Sequence, residues 1–327
     1  EMNIQFAGGL HLAVSQPWLA PDGGLICLDG LKPLTAADGA VLTGGGSASL
    51  RMNAGGGLGP TNTIWVTDNA YLSISSGGSL GAPVIVLDGP GKRLEADAGF
   101  VFNAPRLCSR LVLRNAASIN GGACTYGLGK LEADAPGFST QVVSTVSFSS
   151  WALSVAETEC AVAAPAALLL STPLNNASGV TAALRKTGDG MLVLNAAGAF
   201  TGGVAVDAGW VRLAQAGGAG SGAVALSPSS VLEITAAGTV ANAVSGGGRV
   251  VKAGSGTLTL AGANSYAGGT SLSGGVTRVS APSALGGGAV VLSPGASLVL
   301  TASQTVSGTD VARIAGAGTV LAGTGAE

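Results

Sequence analysis

A fixed 66-residue period constrains this chain more than any other feature. The segment 252–276, KAGSGTLTLAGANSYAGGTSLSGGV, returns when it is shifted 66 residues toward the N-terminus. Lys252 falls on Lys186, Gly254 on Gly188 and Gly256 on Gly190. Leu258 and Leu260 fall on Leu192 and Leu194, Tyr266 on Phe200, and Gly268 and Gly269 on Gly202 and Gly203. The register runs without a gap to Leu298, which falls on Leu232. A third copy begins at Val306 and is incomplete at residue 327. A period of this length marks a repeat architecture, in which neighbouring copies stack to bury a continuous core.

Each copy alternates apolar and polar residues. TLTL sets Leu258 and Leu260 against Thr257 and Thr259, and YLSIS keeps the same rhythm with Leu72 and Ile74. Period two means strands with one face inward, and the GG, GGG, NG and SPG clusters between them are turn chemistry. The expected fold is all-β, a parallel β-helix (β-solenoid). The best helical candidate, Ala161–Leu170, is interrupted by Pro165. At two or three strands per coil, a coil takes roughly 20–25 residues, and 66 residues read as three coils. Glycine, 55 of 327 residues, supplies corners that need positive φ or a close backbone approach. Tyr266 and Phe200 read as structural aromatics rather than ligand contacts.

Residues 181–327 read as regular β-helix built from the 66-residue repeats, and 1–180 as an irregular β-helical part with loops. That part holds all four cysteines and three of the four tryptophans. It contains a looser duplication, RLEADAGF at 93–100 and KLEADAPGF at 130–138. The pairs Glu95/Asp97 and Glu132/Asp134 each lie two residues apart, so on a strand they share a face at roughly 6–7 Å. That spacing suits a calcium ion or glycoside hydrolysis, but no basic or aromatic sugar platform stands beside them in sequence. Solvated strand edges are the expectation.

Other chemistry is sparse. A net charge of −2 with scattered lysines offers no basic stripe for nucleic acid. No apolar run is long enough for a transmembrane helix. No leader precedes Glu1, so the chain reads as a mature protein or an excised fragment. Cys27, Cys108, Cys124 and Cys160 allow three full pairings. A Cys108–Cys124 bridge around RNAASINGGACTY is one reading, and buried thiols acting as small hydrophobes are the other. No CxxC points to a metal. His11 is the only histidine. Gly77–Gly81 (GGSLG) matches a nucleophile elbow, but that device needs a following helix and a later histidine. Gly91-Lys92 and Gly129-Lys130 lack the Ser/Thr and helix of a phosphate loop. No cofactor and no enzymatic activity are expected, and the sequon Asn176-Ala177-Ser178 is expected to be silent.

The passage Gly254–Thr270 (GSGTLTLAGANSYAGGT), followed by GGVTRVSAPSALGGGAVVL, resembles the passenger-associated transport repeat of bacterial autotransporters. The copy at 184–226 is looser, with Gly198 in place of Asn264 and Val204 in place of Thr270. Gly254, Gly256, Leu258, Leu260, Tyr266, Gly268 and Gly269 carry the motif. The resemblance implies a right-handed parallel β-helix passenger, secreted through the Gram-negative outer membrane and displayed at the cell surface or released. In that family the repeat serves transport and folding, not catalysis. The family's membrane barrel is absent, so any membrane tie is expected to run through a translocator outside this sequence. The expected role is an adhesin or host-interaction module for a host or bacterial surface protein or glycan. A stalk or self-associating fibre subunit is the alternative.

Overall fold

The computed structural model describes residues 3–5, 10–20, 25–28, 34–47, 49–52, 55–75, 78–103, 107–300 and 314–322. Two compact units divide the chain, Glu1–Val180 and Thr181–Glu327. Among the described residues all regular structure is β-strand, and none forms a helix that could cross a membrane.

In the first unit one sheet stacks β1 (Asn3–Gln5), β4 (Leu25–Leu28), β7 (Ser49–Met52), β9 (Tyr71–Ile74), β11 (Gly91–Ala96), β14 (Ala117–Tyr126), β16 (Val142–Leu153) and β18 (Ala166–Leu170). The short strands β12 (Phe100–Phe102) and β19 (Leu174–Asn176) flank the far halves of β14 and β16. A second sheet stacks β3 (Gln16–Ala20), β6 (Val41–Gly46), β8 (Thr63–Val66), β10 (Val84–Asp88), β13 (Arg110–Arg114), β15 (Lys130–Asp134) and β17 (Glu157–Val162). A further pair joins β2 (Leu10–Leu12) to β5 (Leu34–Ala36). All of these pairings are parallel, so each strand lies on the one a coil away: a β-solenoid.

Period two in sequence becomes apolar columns in space. Leu50, Leu72, Leu94, Ile119, Val146 and Leu170 stand in one interior column. Leu42, Ile64, Ile85, Leu111, Leu131 and Cys160 form another. All twelve are buried, and each of the eleven aliphatic side chains contributes roughly 1.5–3 kcal/mol. An aromatic cluster fills the rest. Phe102 lies 5.9 Å from Tyr126 and 5.7 Å from Phe148, and Trp151 packs edge-on against both Tyr126 and Phe148.

The second unit uses three sheet directions. One stacks β20 (Ala183–Thr187), β22 (Val204–Val206), β24 (Val224–Leu226) and β27 (Val244–Gly246). Another stacks β21 (Met191–Leu194), β23 (Trp210–Leu213), β25 (Val231–Ile234), β28 (Arg249–Lys252), β30 (Thr270–Leu272), β32 (Val290–Leu292) and β34 (Ile314–Gly316). The third stacks β26 (Gly238–Val240), β29 (Thr257–Leu260), β31 (Val276–Val279), β33 (Ser297–Leu300) and β35 (Thr319–Ala322).

The coils here fall at the short end of the expected length of roughly 20–25 residues, and the reading of one repeat as three whole coils is corrected. Lys186 stands in register with Val206, Leu226 and Gly246, so three coils here take 60 residues, 20 apiece. Its sequence match Lys252 lies six residues further on, on β28 in the next sheet. The 66-residue repeat is therefore three coils plus a step to the adjoining face, and equivalent side chains move round the solenoid. The run Ala161–Leu170 is also not helical. It splits between β17 and β18 at a turn holding the cis bond Ala164–Pro165, because Pro165 withholds an amide and the flanking strands find parallel partners. Val306, where the third copy begins, lies outside the described residues.

Candidate functional site

The repeat residues build the solenoid's interior. Leu258 and Leu260 of β29 are buried, as are Leu192 and Leu194 of β21. Lys186 and Lys252 are the least expected members: each is fully buried. Lys252 Nζ donates to the carbonyls of Ala253, Gly254 and Gly274 at 3.2, 2.6 and 3.1 Å. Lys186 Nζ donates to Thr187, Gly188 and Ala208 at 2.9, 2.6 and 3.2 Å. Each ammonium thus ties its own turn to the turn one coil on. Desolvation lowers the Lys252 pKa from its ordinary value, as burial does for any cation. Arg93 does similar work in the first unit, donating to Gly89 and to Ala70 one coil back. The sequence matched the two lysines but gave no sign that they point inward.

Gly268 and Gly269 close a corner. Gly269 has φ +86, and a Cβ there would lie 2.6 Å from the Ala289 carbonyl; Gly203 repeats this with φ +87 and Ala223. Gly254 takes φ +84 in the turn whose carbonyls Lys252 holds, and Gly256 packs against Ala237. Tyr266 is buried, and its hydroxyl meets Thr270 Oγ1 at 2.6 Å. In the looser copy Phe200 and Val204 stand at these two places, so loss of the hydroxyl on one residue accompanies loss of its partner's. Asn264 accepts from the Val244 amide and donates to Ala284.

The two carboxylate pairs part company. Glu132 and Asp134 are each gripped by an arginine one coil away. Arg110 takes Glu132 through two bonds of 2.5 and 2.6 Å, and Arg114 takes Asp134 through two of 2.9 Å. Arg114 also lies 5.5 Å over the Trp65 ring, and the Trp65 indole donates to Asp88. Charge on this face is thus paired, not merely solvated. No group of three or more His, Cys, Asp or Glu side chains gathers for a metal among the described residues. His11 lies on the surface with Nδ1 2.9 Å from Thr35 Oγ1. Gly77 of the GGSLG match lies outside the described residues, and Gly81 forms an isolated bridge to Leu58.

Cys108 and Cys124 are buried free thiols, not the bridge that their spacing allows. Cys124 sits in register between Phe100 and Trp151 in the aromatic interior. Burial pushes both thiols well up, which disfavours the thiolate needed to form a bridge. The Tyr126 hydroxyl, which donates to the Lys130 carbonyl, is likewise pushed well up, mainly by burial, with further contributions from the three neighbouring thiols. Cys27 falls on β4, whose side chains lie outside the described ones.

Asp97 and its surroundings differ from the paired face. Arg51, Ser73, Ser75 and Asp97 line a polar cleft of about 280 Å³. Arg51 and Ser73 are in register on β7 and β9, and Ser73 is in register with Glu95 on β11. The Asp97 amide donates to the Ile74 carbonyl one coil back, and Ser75 and Asp97 line the same cleft. Arg51 and Asp97 lie 46 residues apart in sequence, so no linear motif joins them.

Two segments, 184–213 and 250–279, match the family model for the passenger-associated transport repeat. The chain carries two passenger-associated transport repeats. With the β-solenoid they support an autotransporter passenger, a class whose place is the surface or exterior of Gram-negative bacteria. No curated protein and no solved structure matched the chain. The first transport repeat starts on β20 and the second on β28, so the two matched segments begin on different faces of the second unit. Both include the inward lysine.

Proposed function

We propose that this chain is the surface-displayed or secreted part of an autotransporter and acts as an adhesin or host-interaction module. It acts by binding, and its partner is a protein or glycan of a host or bacterial surface. The observation that carries this reading is the contrast between a second unit of near-constant coils and a first unit whose coils lengthen and hold an open polar cleft. Phe138, half exposed in the loop between β15 and β16, adds an apolar contact beside a charged face. Affinity on such a surface comes from several modest contacts around a few anchors.

The test is binding of the fluorescently labelled chain to cultured epithelial cells and to Gram-negative cells, with unlabelled chain as competitor. Saturable, competed binding supports the reading, and uncompeted signal on both cell types overturns it. The alternative, a stalk or self-associating fibre subunit, draws on Val291 and Leu321, which expose apolar side chains on outward positions of β32 and β35. Light scattering across concentration separates the two, since only the fibre grows with concentration.

A further inference from the structure

We propose that the Arg51–Ser73–Ser75–Asp97 cleft binds a single carboxylate-bearing sugar residue, a hexuronic acid or its like. The proposal rests on the adhesin reading and names the chemistry that one of its sites takes.

The first ground is the state of the four side chains. On the neighbouring face of this unit, outward charges are spent on partners within the fold: Arg110 on Glu132, Arg114 on Asp134, Lys130 on Glu159. The side chains of Arg51, Ser73, Ser75 and Asp97 have no hydrogen-bond or ion-pair partner among the described residues. A cation, a carboxylate and two hydroxyls line one concavity with no side-chain partner among the described residues.

The second ground is geometry. The lining comes from three successive coils, and coils stack about 4.8 Å apart. The guanidinium stands on the first coil and the carboxylate on the third, so the polar wall is about 10 Å tall. The volume of about 280 Å³ falls just below the roughly 300–1,000 Å³ of drug-sized clefts. That suits one sugar ring and not a longer saccharide held end to end.

The third ground is complementarity. A guanidinium presents a planar fork of donors that matches a carboxylate through two parallel bonds. The two serines donate and accept, and Asp97 accepts from hydroxyls. Asp97 in the same cleft opposes a dianion such as a phosphate ester, because a second full negative charge would face the carboxylate across a few ångströms. The mostly polar lining gives an apolar side chain of a peptide little to cover. A ligand with one carboxylate and a ring of hydroxyls satisfies all four groups.

The experiment is saturation-transfer NMR on the full chain, titrated with sodium glucuronate, with glucose, and with a tetraglutamate peptide. Glucuronate is expected to saturate, with glucose about tenfold weaker, the scale of one charge-assisted bond. Arg51→Ala is expected to weaken glucuronate about tenfold while leaving glucose unchanged, and Asp97→Asn to weaken both sugars several-fold. Both residues are exposed, so each variant keeps the far-UV circular dichroism of the parent. Equal binding of glucose and glucuronate, unchanged binding in Arg51→Ala, or tighter binding of tetraglutamate overturns the proposal. If Arg51→Ala leaves both glucuronate titration and cell binding intact, the sugar site falls and the adhesin reading stands. If glucuronate binds through Arg51 but the chain never binds cells saturably, the site stands and the adhesin reading falls.

Discussion

Along one interior column of the first unit, successive coils take 22, 22, 25, 27 and 24 residues, from Leu50 to Leu170. Along the column Leu192, Val211, Leu232, Val250, Thr270 and Val290 of the second unit they take 19, 21, 18, 20 and 20. Both units meet the same demand, since every strand must lie parallel on the one a coil away with its apolar side chains inward. The second unit meets it with corners of glycine and alanine and with inward lysines that hold corner carbonyls. The first fills a wider interior with Phe100, Phe102, Tyr126, Phe148 and Trp151, and lets its turns lengthen outside the ladder. The difference teaches that a solenoid tolerates chemistry where residues can be added without disturbing the column, and such places lie in the first unit.

The largest expected effect concerns that aromatic interior. Trp151→Ala should cost about 3–5 kcal/mol and strip hydrogen-exchange protection from β12, β14 and β16 while the peptides of β29–β33 keep theirs. Equal loss in both units would mean that the two interiors do not differ in this way.

Alkali should separate the units next. Cys108, Cys124 and Tyr126 all have pKa values raised by burial. The unfolded chain therefore gives up these protons first. Their contribution to stability is whole below about pH 9 and falls as pH rises past the ordinary thiol and phenol values. Each group removes up to about 1.4 kcal/mol per pH unit in that range. Urea unfolding at pH 8 and pH 10 should show a steeper loss in the parent chain than in Cys108→Ala/Cys124→Ala. Parallel losses would mean that the two thiols are not buried as described.

The inward lysines sharpen the comparison from the other side. Lys186→Met and Lys252→Met should each cost about 1–3 kcal/mol by leaving corner carbonyls unpaired, with closely similar values because their bonding patterns match. A neutral outcome in urea would show that the carbonyls find other donors. The smallest effect belongs to Tyr266 and Thr270. Tyr266→Phe alone should cost about 0.5–1.5 kcal/mol, and adding Thr270→Val should recover part of it. The Phe200–Val204 pair of the other repeat already makes that exchange. A double-mutant cycle with no coupling would break the equivalence of the two repeats.

Much of the fold is legible in the sequence. Leu258 against Thr259 and Leu72 against Ser73 announce strands with one face inward, and the match of Gly269 to Gly203 announces a shared corner. The candidate site was not readable in the same way. Asp97 was visible as half of a carboxylate pair with Glu95, but its cleft partners Arg51 and Ser75 come from other coils. Glu132 and Asp134 resembled Glu95 and Asp97 in sequence, yet Arg110 and Arg114 take them up as ion pairs. Nothing in KLEAD and RLEAD distinguishes the two cases.

The sequence by itself determined the strands, the stacking and the equivalence of the repeats, because alternation and corner glycines act over a few residues. Only the tertiary structure decided the 20-residue coil in the second unit, the step of each repeat to the next face, and the inward turn of Lys186 and Lys252. It alone brought Arg51 and Asp97 to one cleft. The physical reason is that neighbours across coils depend on the summed length of every strand and turn between them, and one residue more in a loop changes who faces whom.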